Sequence, residues 1–375
     1  METTTPDWSS LPEHLLASIA ERLPTRIDTL RFRAVCSSFR SSIPTPPKTL
    51  SPHNNLKFSI PSLSVRHQGH LVLAEFTYYA IRPLPSCSDS HEIANTWLVK
   101  CEDLNSGKVR FEDPLTRYRL RFKKVPKLEK LPWSLNLLDY QIKEVAKVYR
   151  LEQVYHGNGF NRRRPNVFSK AVASSSFDKI DDGFAVMTII RGMALVWRNV
   201  DKKWTEIDIG FDYFLDIIYH NEKFYALKST GVAVTVDSKS LTVSQVSIPL
   251  QIERFPVRSF LAKSSQGLFL IIKGRQWPVK QIEFKVYKLD EEKCEWVQVR
   301  DGLEDSVFFF GYDCSFFLSA KEFPGCKGNS VYFKRRHRCP GTDAWIFDMK
   351  DGRVESLSAI PGYSKIFWPR PTWVE

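Results

Sequence analysis

Two hydrophobic rhythms divide this chain. Between Trp8 and Ile43 the apolar positions fall three and four residues apart, with Leu15, Leu16, Ile19 and Leu23 in one stripe and Ile27, Leu30, Val35, Cys36, Phe39 and Ile43 in a second. Ser10 and Glu13 have capping-box spacing, Pro12 sits in a first turn that needs no intrahelical N–H, and Pro24 stops the first stripe. The second starts near Asp28, leaves Arg26, Arg31, Arg33 and Arg40 for its outer side, and ends at Pro44, Pro46 and Pro47. The pattern predicts three short helices.

A unit below about 40 residues buries too little surface to stand alone without disulfides, metal or a partner. The surplus of apolar side chains here predicts a helical partner that completes the core. The competing reading is an N-terminal cap packed onto the rest of the same chain.

Leu11-Pro12, Leu15-Leu16, Ile19, Leu23, Asp28, Leu30, Arg33, Val35-Cys36, Phe39-Arg40 and Ile43 resemble an F-box in one register: a Leu-Pro start, a Leu-Leu-x-x-Ile core and an Arg-x-Val-Cys-x-x-Trp-Arg ending. Phe39 departs from the usual Trp, keeping an aromatic anchor without the indole donor. The resemblance implies docking on the Skp adaptor of a cullin-RING ubiquitin ligase. Candidate adaptor-binding residues are Leu11, Pro12, Leu15, Leu16, Ile19, Leu23, Val35, Cys36 and Phe39. Some of them must instead form the unit's own core.

The boundaries read as a tail over 1–7, the helical unit over 8–45, a proline-rich connector over 46–55 and a second domain over 56–375. In that domain the rhythm changes to short β-branched and aromatic runs: Phe184 to Ile190, Met193 to Arg198, Phe214 to Tyr219, Lys223 to Leu227, Val232 to Val236, Gly267 to Ile272, Phe284 to Leu289, Ser330 to Phe333 and Ala344 to Phe347. A strand ending in Asp, then a polar turn, recurs at Asp103, Asp201, Asp237, Asp290 and Asp348. The interval from Asp103 to Asp201 is 98 residues, about double the others, as though a degenerate copy lay inside it. Five steps averaging about 49 residues then imply six hairpins, the period of a β-propeller rather than of an irregular sandwich. The expected fold is a small all-α unit followed by an all-β propeller of six blades, with seven as the alternative.

Asp216-Ile-Ile-Tyr-His-Asn-Glu-Lys-Phe-Tyr-Ala-Leu, Phe284-Lys-Val-Tyr-Lys-Leu-Asp, Val307-Phe-Phe-Phe-Gly-Tyr and Ile366-Phe-Trp-Pro-Arg-Pro-Thr-Trp resemble the kelch-like propeller of a large plant F-box family. That resemblance implies a substrate-recognition domain and does not name the target.

Composition trims the alternatives. With 43% hydrophobic and 26% charged residues the chain reads as globular, and its longest apolar run, Val307 to Ala320, is interrupted by Asp313. Met1 to Asp7 has no secretory signature, so the expected location is the nucleus, the cytoplasm or both. The 7 cysteines form no C-x-x-C pair, and no metal or cofactor is expected. No nucleophile elbow, phosphate loop or HExxH stands in the sequence, so no catalytic residue is named. A formal charge of +12 gathers partly at Arg162-Arg163-Arg164 and at Lys334-Arg335-Arg336. Both are read as loops, either solvated, an import signal, or a binding surface for an acidic target. No nucleic-acid-binding signature accompanies them. Two functions remain: a non-catalytic substrate receptor, or a propeller enzyme or metabolite or nucleic-acid binder with an incidental helical cap.

Overall fold

The computed structural model describes residues 7–23, 26–44, 57–58, 69–84, 96–103, 109–116, 139–157, 160–165, 169–175, 183–208, 210, 212–250, 258–276, 281–299, 303, 305–312, 315–321, 323, 326–334 and 344–359. The connector read over 46–55 lies outside them.

A 3₁₀ turn at Trp8–Ser10 leads into α1 (Glu13–Glu21), α2 (Arg26–Val35) and α3 (Ser37–Ser41). The expected capping box does not form. Ser10 Oγ donates to the Asp7 carbonyl at 2.7 Å inside the 3₁₀ turn, and Pro12 stands at the N-cap with no side-chain bond. The second stripe breaks at Cys36, whose extended backbone (φ −159°) separates α2 from α3. Leu16, Ala20, Phe32 and Phe39 make the core, with the two phenyl rings 4.6 Å apart. The Arg33 guanidinium closes the turn by donating to the Arg40 carbonyl at 2.8 Å and to the Ile43 carbonyl.

Among the described residues the elements that follow are strands in five units, closed by a 3₁₀ turn at Leu357–Ala359. The first holds β1 (Lys57–Phe58), β2 (Gly69–Pro83), β3 (Trp97–Asp103), β4 (Val109–Glu112), β5 (Tyr140–Gly157) and β6 (Phe160–Pro165), with β5 pairing along all of β2. The second is β7 (Ser169–Ala173), β8 (Ala185–Ile190), β9 (Met193–Arg198) and β10 (Lys203–Ile207), joined to the first by the pairing of Tyr149 with Ala171. The third is β11 (Phe214–His220), β12 (Lys223–Lys228), β13 (Ala233–Asp237) and β14 (Val243–Gln245). The fourth is β15 (Ser259–Ser264), β16 (Gly267–Gln276), β17 (Gln281–Asp290) and β18 (Glu295–Gln298). The fifth is β19 (Ser306–Phe310), β20 (Ser315–Ser319), β21 (Ser330–Lys334), β22 (Ala344–Asp348) and β23 (Val354–Ser356), with β19 running parallel to β21.

Each sheet is covered on both faces by its neighbours, which is why its central strands read as continuous apolar runs rather than alternating ones. In β8 every residue is buried: Val186 and Ile190 pack toward the first unit, Ala185, Met187 and Ile189 toward the third. In β19, Phe308 and Phe310 face the fourth unit. Val307 and Phe309 of the same strand pack with Phe76 and Tyr78 of β2, so the fifth unit meets the first and the ring closes. A polar link also spans three units: Lys170 of β7 pairs with the buried Asp216 of β11, whose other oxygen accepts the Leu261 N–H of β15 at 2.7 Å.

The described residues thus form five units and five interfaces, one fewer than the six hairpins the period implied. The doubled interval after Asp103 contains the 18-residue β5, which joins the first sheet instead of founding another. The recurring aspartates have a structural cause. Asp237 accepts the N–H groups of Lys239 (2.9 Å) and Ser240 (2.7 Å), Asp290 that of Lys293 (3.1 Å) and Asp348 that of Lys350 (2.8 Å). Each side chain replaces a backbone acceptor in the turn that starts the outermost strand.

Candidate functional site

On α1, Leu16 and Ala20 point into the helical core, which fixes where their neighbours in sequence must point. Leu15 and Ile19, one turn apart on another face, are 43% and 41% exposed. Val35 at the end of α2 is 54% exposed and Trp8 is 63% exposed. Apolar side chains this open on so small a unit are the groups a partner would cover. The nine candidate adaptor residues therefore divide. Leu16 and Phe39 are core, Leu11, Leu23 and Cys36 are half-buried around it, and Pro12, Leu15, Ile19 and Val35 are exposed. Val35, expected to point inward, is instead exposed at the last position of α2, where the helix breaks at Cys36, and Phe32 one turn earlier fills the core.

The basic clusters are also rearranged. Arg162, Arg163 and Arg164 lie on strand β6, paired with Tyr155, Val154 and Gln153, rather than in a loop. Lys334 ends β21, is 5% exposed and pairs with Asp113, so its ammonium belongs to the interior. Arg335 and Arg336 lie outside the described residues. Nor do the two clusters meet. Val154 opposite Arg163 pairs with His70, whereas Tyr78, whose hydroxyl donates to the Pro114 carbonyl, marks the level of Asp113. Those levels are on the order of 25 Å apart along β2 at about 3.3 Å per residue.

Antiparallel strands sort the connections to two ends of the ring. At one end are the links from first to second and from third to fourth strand, mostly tight turns such as 221–222, 265–266 and 291–294, with 174–184 the long exception. At the other end lie the strand ends that bound the second-to-third and unit-to-unit connections, among them Pro83 and Trp97, Ile207 and Phe214, and Gln245 and Ser259. Long connections on a rigid scaffold are where recognition concentrates.

Sequence reasoning missed a buried charge cluster on the face of the first unit toward the fifth. Arg150 bonds Glu112 at 2.7 Å and Glu152 at 2.6 Å, Lys100 lies 3.1 Å from Glu112, and Arg110 lies 2.9 Å from Glu152 and 2.5 Å from Glu102. The three cations surround the Phe76 ring at 4.4 to 4.9 Å. Burial pushes the Glu112 carboxyl up, but Lys100 and Arg150 outweigh it and hold the group below its ordinary range. The signal was present as three triplets, Lys100-Cys-Glu102, Arg110-Phe-Glu112 and Arg150-Leu-Glu152, each putting opposite charges two apart on one strand face. Three cations and three carboxylates cancel, which suits a structural core better than a ligand site. Among the described residues no group of three or more His, Cys, Asp or Glu is placed to hold a metal ion.

Comparison with known proteins accords with this two-part architecture. Residues 8–50 match the F-box domain, and residues 69–355 match the KIB1-4 beta-propeller. The chain is 30% identical to the F-box protein SKIP23 of Arabidopsis thaliana over 98% of its own length and 95% of that protein. It is 28% identical to the Arabidopsis F-box protein At2g17036, with the same two coverages of 98% and 95%. To the Arabidopsis F-box/kelch-repeat protein At1g64840 it is 26% identical over 96% of this chain and 92% of that one. With an exposed apolar helical unit at one end and a closed ring of sheets filling the rest, the chain belongs to the family of F-box proteins that carry a KIB1-4 β-propeller.

Proposed function

We propose that this chain is the substrate receptor of an SCF-type (Skp, cullin, F-box) ubiquitin ligase, in the nucleus, the cytoplasm or both. The helical unit docks on the Skp adaptor, and the ring holds a target protein near the ubiquitin-charged enzyme, a contribution of proximity rather than chemistry. The observation that carries this reading is the pair Leu15 and Ile19, apolar and more than two-fifths exposed on the F-box match. Leaving such a face in water is unfavourable, and a helical adaptor surface removes it.

Co-expression with a Skp adaptor tests the reading. The wild-type chain should co-purify with it. Leu15→Ser with Ile19→Ser should abolish capture while leaving the thermal unfolding of the chain unchanged, since two anchors of about 1 to 3 kcal/mol each are lost from the contact and none from the core. Undiminished capture by the double variant, or none by the wild type, would remove this assignment.

A further inference from the structure

We infer that the helical unit is seated on the ring at one orientation, and that the seat is the open edge of β5 at Tyr140, with Arg31 of α2 as its latch. What the seat means for ubiquitin transfer rests on the receptor reading above. The seat itself rests on the pairing of β2 with β5.

β5 is 18 residues long, and β2 pairs with it from Tyr140 to Tyr155. On its other edge β6 covers Glu152 to Gly157, and β7 meets it at Tyr149. Over 140–148 that edge carries no strand among the described residues. The Leu84 N–H donates to the Asp139 carbonyl at 2.8 Å, and bonded and non-bonded pairs alternate along an antiparallel ladder. The next pair, Pro83 with Tyr140, is therefore non-bonded, and Pro83 has no N–H to offer in any case. The Tyr140 carbonyl thus points away from β2, to the open edge. An edge carbonyl left by its ladder needs a donor from elsewhere.

The donor comes from 109 residues away. Arg31 Nη2 donates to the Tyr140 carbonyl at 2.9 Å. Arg31 Nη1 lies 3.5 Å from Asp28 Oδ1, one turn back on α2, so both arms of the planar fork are held. The arginine side chain is 25% exposed, and a charge-assisted bond at that depth is stronger than a neutral one. The seat leaves the apolar face of the helical unit open. With the ring in place, Leu15 and Ile19 are still 43% and 41% exposed, and Val35, one turn beyond Arg31, is 54% exposed. Packing onto the same chain and docking on a partner, alternatives in the sequence, are therefore compatible. An adaptor on the helical unit and a target on the ring are then held at one separation, which is how a receptor without chemistry raises the rate of transfer.

The test measures, in the full chain, the distance between nitroxides carried on non-natural residues at Ser41 of α3 and Lys223 of β12, both exposed, by double electron–electron resonance. Wild type should give one narrow distribution. Arg31→Ala removes an ionic hydrogen bond, which shifts the seated population about tenfold, and should add a second, broad component. Arg31→Lys, which keeps the charge and a donor, should fall between them. Arg22→Ala, which removes an exposed charge from the same unit, should match wild type. Hydrogen exchange over 13–41 should stay as slow in each variant as in wild type, showing that the helices persist. Should Arg31→Ala lose that protection, Arg31→Lys carries the test: broadening with protection intact sustains the latch, and a wild-type width overturns it. A broad wild-type distribution, an Arg31→Ala distribution as narrow as wild type, or equal broadening by Arg22→Ala would overturn the seat. No adaptor enters this measurement. A narrow, Arg31-dependent distribution in a chain that never captures the adaptor sustains the seat and removes the ligase role, and adaptor capture by a chain with a broad distribution does the opposite.

Discussion

Leu15 and Leu16 are the same side chain at adjacent positions, yet Leu16 is fully buried and Leu15 is 43% exposed. A stripe wider than about 100° accommodates both, so spacing alone placed them together, and only packing against Phe32 and Phe39 separates core from contact. Leu16→Ala should cost about 2 to 5 kcal/mol of the helical unit's stability, whereas Leu15→Ala should change it by about 0.5 kcal/mol or less. Urea unfolding followed by circular dichroism of the two variants checks the division. Equal losses would mean that Leu15 is a core residue after all. Gly192 gives a second test at this scale. Its φ of +86° and the 2.9 Å approach of Tyr213 make Gly192→Ala strained twice over, with an expected loss of about 1 to 3 kcal/mol in thermal unfolding. Nothing in the sequence marked this glycine, because the crowding comes from a residue twenty-one positions away on another unit.

At the scale of elements, the strands legible in the sequence were those bounded by turn chemistry: Met193–Arg198 was read to the residue, and β12, β21 and β22 to within one. The long β5 was not read, since Arg150, Glu152 and further charges interrupt its apolar pattern, and β2, an apolar run broken by Glu75, was not read either. Arg150→Met should destabilise by about 3 to 5 kcal/mol, because it leaves Glu112 and Glu152 with less compensation in a dry face. The sign with pH follows from Glu112, whose folded carboxyl is held below its unfolded value. Its stabilisation is present above the unfolded pKa and is lost as pH falls through the folded one, so the gap between wild type and Arg150→Met should narrow on acidification. A gap that stays constant in urea titrations across that range would detach Arg150 from these carboxylates. The Asp turns obey the same sign. Backbone N–H groups hold Asp237 and Asp290 low, through Ser240 and Lys293 respectively, so Asp237→Asn should keep the turn's acceptor at neutral pH while flattening the acid limb of the stability profile.

For the whole molecule, the period in the sequence implied a ring, and the aspartates that carried the period head five outer-strand turns. The count was the weak point, because spacing cannot tell an extra blade from an extra strand. β5 lengthens the interval and yet pairs with β2. Closure was invisible too, as it depends on Phe309 and Tyr332 of the last unit meeting Phe76 and Tyr78 of the first. A ring and an open stack of sheets respond differently to damage at that seam. Phe309 is fully buried, stacked 5.4 Å from Phe316 and 5.2 Å from Tyr332. Phe224 is equally buried at the seam between the second and third units. In an open stack Phe309→Ala would loosen only a terminal sheet, producing an early partial transition and leaving the main one in place. In a closed ring every seam supports every other, so Phe309→Ala and Phe224→Ala should each lower one cooperative transition, by about 3 to 5 kcal/mol. Tryptophan fluorescence from Trp197, Trp296 and Trp345, spread over three units, should then coincide with far-UV circular dichroism in urea. Separation of the two probes in Phe309→Ala alone would show that the first and last units are neighbours without being a seam.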